Sequence, residues 1–484
     1  MKDRHTPEPQ LKGVIGPSKF FTLAFGAIIG VGWIVMLGDW LGKAGPIGAI
    51  AAFLAGGLLM TLVALSYAEM ATMLPVSGGE VAYTYEVYGV PVCFATGWFL
   101  ALSYIAFTSF EAISAAWVVD ALVPGMTGAT LYRSLGAAVK ADSLVLGLTG
   151  MIAITLLNLR GVKEATTAQE LLTYGKIACA AVFITAGILW GKTSHLVPLV
   201  QASGGRTNWA GLIAVFVTTP VWFAGFNVIP QVMEEKAPGT SWRTIGRVFG
   251  ASIISAALFY CLLILSASMS VPWTRLLVVE LPAADAFRAA FHSAALAKLV
   301  LMSALLGLVG TWNAVFIAAS RVLFALGRAK IIHPPFGVTH PARKTPTRAI
   351  VFVGLLGSCG VLLGRNAIAP IVNVGATCFG LVFFLTCFGV IKMRRNQPRR
   401  ERPFRVPGGI LSAGTASVVS GLMFLVSLYE PYRASNRTFP LEWKIVLGWA
   451  ILGVLFWTVA NRGRKSVSEP ERRRSILGLG ASAP

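Results

Sequence analysis

Charge is scarce in this chain of 484 residues: only 13% are Asp, Glu, Lys or Arg, well under the roughly 25% of soluble domains. A water-soluble globular protein is therefore excluded. The six cysteines stand apart in apolar runs with no CxxC pair, so neither a disulfide framework nor a cysteine zinc site is expected, and packing accounts for them. The five histidines lie in the tail (His5) or in loops (His195, His292, His333 and His340). They offer neither a zinc-ligand spacing nor a serine–histidine arrangement. No Gly-x-x-x-x-Gly-Lys-Ser/Thr run appears, which removes nucleotide hydrolysis. No segment is long and polar enough for a soluble output domain, which argues against a sensor that binds without transporting. An intramembrane enzyme would need a nucleophile–base or metal cluster, and none is found; no cofactor is expected.

Hydrophobic residues make up 55% of the chain. Read as runs of about twenty residues, they give twelve spans. The first six are 17–42, 46–73, 91–119, 143–160, 165–191 and 209–231; the rest are 245–271, 296–327, 347–364, 367–392, 409–428 and 442–461. Residues Tyr83 to Tyr88 read as an interfacial helix leading into the third span. The first run follows a polar tail and leads into further spans, so no cleavable signal is expected.

A net charge of +21 could suggest nucleic acid, but its distribution argues against that partner. The tails and even-numbered loops hold more than twice the Lys and Arg of the odd-numbered loops. Loop ten alone carries Lys392, Arg394, Arg395, Arg399, Arg400, Arg402 and Arg405. By the positive-inside rule both termini are expected in the cytoplasm, which suits an even number of spans in a cell membrane. The expected organisation is an N-terminal tail (1–16), a transport core (17–392), helices 11 and 12 with their basic loop (393–461), and a basic C-terminal tail (462–484). With its Arg472-Arg473-Arg474, that tail is expected to be disordered and drawn to anionic lipid.

Two spans are interrupted. The first holds Phe25-Gly26-Ala27-Ile28-Ile29-Gly30-Val31-Gly32-Trp33, and three glycines in seven residues weaken a helix. Freed backbone groups cost several kcal/mol each in hydrocarbon unless something satisfies them. A break there points to a polar ligand or an ion, although Gly26-x-x-x-Gly30 would also serve close helix packing. The sixth span places Pro220, Gly225 and Pro230 within one crossing, and proline removes a donor and clashes with the preceding turn. Interruptions five spans apart predict an all-α integral membrane fold of twelve transmembrane helices. Its core would be a 5+5 inverted repeat with discontinuous helices 1 and 6 around a central site.

Ionisable residues at membrane depth are costly and serve as functional candidates. Lys176, within the fifth span, has no local carboxylate; an amine that gains and loses a proton can couple transport to a gradient, while a snorkelling lysine is the plainer alternative. Glu111 sits deep in the third span, placed to meet a cationic group, to carry a proton, or to rest as a buried neutral acid. Asp39 and Asp120 suit wet interfaces. Glu69 and the pair Glu234-Glu235 fall at helix ends, where a gate-closing salt bridge to a nearby arginine and a solvated helix end fit equally well. Trp312-Asn313 reads either as an aromatic lid with its amide or as core.

Five separated stretches carry a resemblance. They are Gly26 to Gly32, Ser66 to Gly79 (SYAEMATMLPVSGG), Asn158 to Lys163 (NLRGVK), Phe223-Ala224-Gly225-Phe226 followed by Glu234 to Pro238 (EEKAP), and Arg321 to Arg328 (RVLFALGR). In this order they resemble a permease of the amino acid–polyamine–organocation superfamily over roughly residues 15–405. The resemblance implies alternating-access transport of an amino acid or amine, either proton-coupled or by obligatory exchange. It implies that the backbone at Ile28, Ile29, Gly30, Val31 and Gly32 receives the substrate carboxylate and that carbonyls at Phe223, Ala224 and Gly225 receive the amino group. Phe226 or Trp222 would gate, Thr108 and Trp312 would line the side-chain pocket, and Lys176 would couple a proton. The chain departs from the pattern at Trp33, at Asn227 where several members carry an acid, and at Glu111, where a neutral residue is usual. A charged Glu111 would favour a basic amino acid or a diamine; a protonated one would not.

Overall fold

The computed structural model describes residues 11, 13–123, 128–203, 206–279, 281–435 and 438–477. Most of the expected N-terminal tail and the last seven residues of the C-terminal tail lie outside them.

Proline sits at the N-terminal edge of α1 (Pro17–Ile28), where its missing N–H costs nothing. The chain leaves helical geometry at Ile29 and resumes it in α2 (Gly32–Met73), which bends at Gly45-Pro46, with Gly45 at φ 72°. After α3 (Gly79–Tyr88), a single residue, Gly89, leads into α4 (Val90–Leu122), as the interfacial-helix reading anticipated. A hairpin of β1 (Thr130–Ser134) and β2 (Ala137–Lys140) precedes α5 (Ala141–Arg160) and α6 (Val162–Trp190). The short strands β3 (Ala202–Ser203) and β4 (Arg206–Thr207) lead to α7 (Trp209–Trp222). Residues Phe223 to Gly225 then break the helix before a 3-10 helix, Phe226–Glu235. Next come α8 (Trp242–Ser270), α9 (Pro282–Phe291), α10 (Ala294–Arg328), α11 (Thr347–Val361) and α12 (Ile368–Asn396). The chain ends in α13 (Gly409–Ala434), α14 (Leu441–Val459), α15 (Asn461–Lys465) and α16 (Glu469–Leu477).

The protein is an all-helical, multi-pass membrane protein. Among the described residues, ten helices are long and apolar enough to cross a bilayer, with Thr347–Val361 a shorter apolar one. Helix α2 lies along α7 and α8, and α10 packs between α4 and α6. On the other side α12 packs on both α4 and α13. Leu58, Leu171 and Leu411 stand exposed on outer faces, as a hydrocarbon surround permits.

The expected disorder of the C-terminal tail does not hold for residues 461–477. Helix α16 docks on α3 and α10, where Arg473 reaches Glu86 at 2.9 Å and Lys330 reaches Glu471 at 3.4 Å. Glu86 also meets Arg400 at 3.0 Å. Partial burial pushes the Glu86 carboxyl up, but hydrogen bonds from the Arg473 and Arg400 guanidiniums outweigh it and hold the group below its ordinary value.

Candidate functional site

Each interruption frees main-chain groups, and the surrounding helices answer them. At the first break, the Lys176 ammonium of α6 donates to the Ile29 carbonyl at 2.6 Å and lies 3.5 Å from the Gly26 carbonyl. It sits over the Phe25 ring, 5.4 Å from the centroid, so it does not snorkel to an interface. Thr311 Oγ1 of α10 donates to the Gly26 carbonyl at 2.9 Å. The Tyr260 hydroxyl of α8 lies between the breaks, 3.3 Å from the Ile28 carbonyl and 3.1 Å from the Trp222 carbonyl.

The second break is held from within its own segment. Asn227 Oδ1 accepts from the Gly225 N–H at 3.0 Å. Gly225 has φ 135°, and a Cβ there would fall 2.7 Å from both Ala27 C and Ile28 N. The two broken segments therefore meet backbone to backbone, which only glycine permits. Gly32 is also pressed closely: a Cβ there would lie 2.5 Å from the Trp222 ring.

Between the breaks lies a cavity of about 350 Å³. Ile28, Gly30, Val31 and Gly32 line it from the first break, and Trp222, Ala224 and Gly225 from the second. Helix α2 begins at Gly32 with no side-chain cap, so its positive end faces the cavity and can receive a carboxylate. The remaining wall is largely apolar, with Val35, Met36, Phe107, Phe110, Val315 and Val372 prominent. Among the described residues, Glu111 is the single carboxylic acid on it. Its Oε1 lies 3.0 Å from where a Cβ on Gly30 would sit, and its Oε2 has no partner among the described residues. Neither Glu111 nor Lys176 forms an ion pair among the described residues.

Other expected site residues stand behind the wall. Ile29 contributes its carbonyl to Lys176. Phe223 is fully buried against Phe53 and Tyr260, and Phe226 against Tyr67, Phe249 and Phe383. The buried Trp312 indole packs on α5 at Gly150, and Thr108 faces α11 at Gly357; Phe107, Phe110, Thr311 and Val315 occupy the wall nearby. Asn313 ties α5 to α6 through Asn158 (3.1 Å) and Gln169 (3.0 Å). Tyr260 was missed, although a lone tyrosine midway through the seventh apolar run was a legible signal.

At the end of the bundle that carries the termini, the expected acid–arginine pairs are present. Glu235 meets Arg321 at 2.9 Å with both side chains buried, and Glu234 holds Arg328 through two bonds of 2.6 and 2.9 Å. Glu69 holds Arg394 at 2.6 and 2.9 Å and accepts from the Val406 N–H at 2.8 Å. Cavity-lining residues run the other way, toward Trp117 and Ile368. Asp39, at the far side, pairs with the exposed Lys43.

Comparison with known proteins agrees with this arrangement. The family model described as amino acid permease matches residues 15–456. The branched-chain amino acid permease BcaP of Bacillus subtilis (strain 168) is 27% identical, over 96% of each chain. The methylthioribose transporter of the same organism is 26% identical over 91% of each. The human b(0,+)-type amino acid transporter 1 is 24% identical, over 88% of this chain and 84% of its own. These relatives are permeases and transporters rather than enzymes. Two helices broken against each other around an uncapped helix start, within a match spanning nearly the whole chain, make this protein a member of the amino acid permease family.

Proposed function

We infer that the protein is a secondary active transporter that takes up amino acids by alternating access and couples that movement to protons. The observation that carries this reading is the Lys176 ammonium set 2.6 Å from the Ile29 carbonyl of the broken first crossing. An amine that loses its proton gives up its charge and part of its hold on the broken backbone. Proton release can thereby change the shape of the half-site for the carboxylate.

Dividing α2 at its Gly45-Pro46 bend and counting the short α11 gives twelve crossings, consistent with a 5+5 inverted repeat. We place the termini in the cytoplasm of a cell-membrane protein, in line with the basic loops. The ion pairs then close the cytoplasmic end, and the conformation reads as outward-facing.

The apolar wall supports an amino acid with an apolar side chain, and the names of two relatives, an amino acid permease and a thioether-sugar transporter, are compatible with it. Glu111 lies beside the backbone break rather than in the side-chain half of the cavity, which gives less support to a diamine or basic amino acid. Uptake into liposomes tests the mechanism. An acid-outside gradient should drive accumulation of labelled leucine by the wild type and not by Lys176→Ala; wild-type accumulation by that variant overturns the coupling role. Uptake that needs substrate already inside, with no response to the gradient, identifies an obligatory exchanger instead. A thermal-shift screen tests the substrate class, since only bound ligands raise the melting point: leucine and methionine should, and lysine and putrescine should not.

A further inference from the structure

Below the central cavity, toward the termini, lies a second buried polar cluster that the transport reading does not use. Glu80, at the start of α3, is fully buried and forms no ion pair among the described residues. Its Oε2 accepts from Gln231 Nε2 at 2.5 Å. The same amide group donates to the Asn227 carbonyl at 3.1 Å and lies 3.5 Å from the Tyr104 hydroxyl. Tyr104 in turn donates to the Asn227 carbonyl at 2.8 Å and accepts from Asn227 Nδ2 at 2.7 Å. Asn227 Oδ1 completes the path at the Gly225 N–H, on the cavity wall. An unbroken hydrogen-bonded chain thus runs from a carboxyl group on α3 to the second helix break.

Four oxygens around this chain have no partner among the described residues: Glu80 Oε1, Gln231 Oε1, and the hydroxyls of Tyr67 and Tyr83. No cation answers the acid. Arg321, whose main chain packs under Gly78, spends its guanidinium on Glu235 and Ser320. The titratable groups that face Glu80 are the phenols Tyr67 on α2, Tyr83 on α3 and Tyr104 on α4. An isolated carboxylate in such a place is costly, whereas a neutral acid is tolerated.

We propose that Glu80 is a positioning residue for transport: as a neutral acid it locks the 226–235 helix and the second break in the closed cytoplasmic arrangement, and loss of its proton releases them. The proton belongs on Oε1, the oxygen that Gln231 does not hold; on release the Oε1–H bond breaks, one proton passes to water, and a carboxylate remains. That unpaired charge draws water into the cluster, and the water competes for the contacts that Gln231 and Tyr104 make with Asn227. Burial pushes the Glu80 carboxyl up to about 8, so the change falls near neutral to mildly alkaline pH. The assignment rests on the transport reading but differs from the Lys176 role in acting through Asn227 at the other break.

The decisive measurement is hydrogen–deuterium exchange of full-length protein in lipid nanodiscs, which requires no transport. Corrected for intrinsic rates, residues 226–235 of the wild type should exchange about tenfold faster at pH 9 than at pH 6, following the carboxylate-to-acid ratio one unit above the midpoint. Glu80→Gln, a permanent mimic of the neutral acid, should show less than a twofold change, a small fraction of that ratio. Counterflow of labelled leucine at equal pH on both sides gives the functional readout: the wild type should change rate across this range by clearly more than Glu80→Gln, whose remaining change is the part that belongs to Lys176. The idea is overturned if Glu80→Gln keeps the wild-type pH profile of exchange, or if the folded variant lacks protection over 226–235 at every pH. Absence of leucine counterflow by the wild type itself would instead sink the transport reading and leave the exchange result standing.

Discussion

The two breaks solve the same problem differently. The first is held by side chains from three other helices, Lys176, Thr311 and Tyr260, and one of these can lose its charge. The second is held by Asn227, two residues along its own chain, with Tyr104, Gln231 and Glu80 behind it. The first is thus answerable to distant helices, and under the proposed coupling to protons, while the second carries a local brace whose far end is a buried acid. Where each is most vulnerable follows from this difference.

The largest effect is expected where the two meet. Gly225→Ala puts a methyl 2.7 Å from Ala27 C and Ile28 N at a φ of 135°. Strain and overpacking of this kind each cost about 1–3 kcal/mol. Uptake should fall to background and the melting temperature in detergent should drop by several degrees; wild-type values for both would mean that the breaks need not touch. Asn227→Ala should come next. It removes the brace at the Gly225 N–H and leaves that donor unsatisfied, at about 1–3 kcal/mol, so leucine affinity should weaken by roughly tenfold or more. If affinity is unchanged and only stability falls, the second break does not shape the site.

Tyr260→Phe should cost less. Its hydroxyl is shared between two carbonyls, and a typical net hydrogen bond contributes about 1 kcal/mol, which corresponds to roughly a fivefold weaker leucine binding. A loss of a different kind concerns pH. The Glu80 carboxyl, raised from an ordinary 4.5 to about 8 by burial, makes the folded state hold a proton that the unfolded chain has released. Stability from this group is therefore complete below about 4.5 and declines as pH rises through about 8. Thermal melts of the wild type should lose more between pH 5 and 9 than those of Glu80→Gln, and parallel curves would refute the shift.

The interruptions were legible because glycine and proline act on the backbone locally, wherever the rest of the chain lies. So was the membrane character, which needs only composition and run length. What escaped the sequence was direction and distance. Trp312 and Thr108 sit on the expected helices but point to α5 and α11 rather than into the cavity, and one step around a helix decides that. Glu69 and the Glu234-Glu235 pair were recognised as gate candidates, yet their arginines lie 86 to 325 residues away. Glu80 went unnoticed because a glutamate after two glycines reads as part of a turn; only the fold closes α2, α4 and Gln231 over it. The arginine-rich tail failed for the same reason, since Glu86, which Arg473 meets, lies 387 residues away and is near only because α3 and α16 are packed together.

Because Gly225 rests directly on the main chain of Ala27 and Ile28, the two broken segments touch there with no side chain between the glycine and its neighbours. Substitution there has nothing to refine and much to break, so inherited variation must act at the surrounding walls, at Phe107, Phe110, Val372 and their neighbours. Such a machine can change its cargo over generations while its joint stays fixed. Relatives with very different substrates would then be expected to agree at the joint and diverge along the lining.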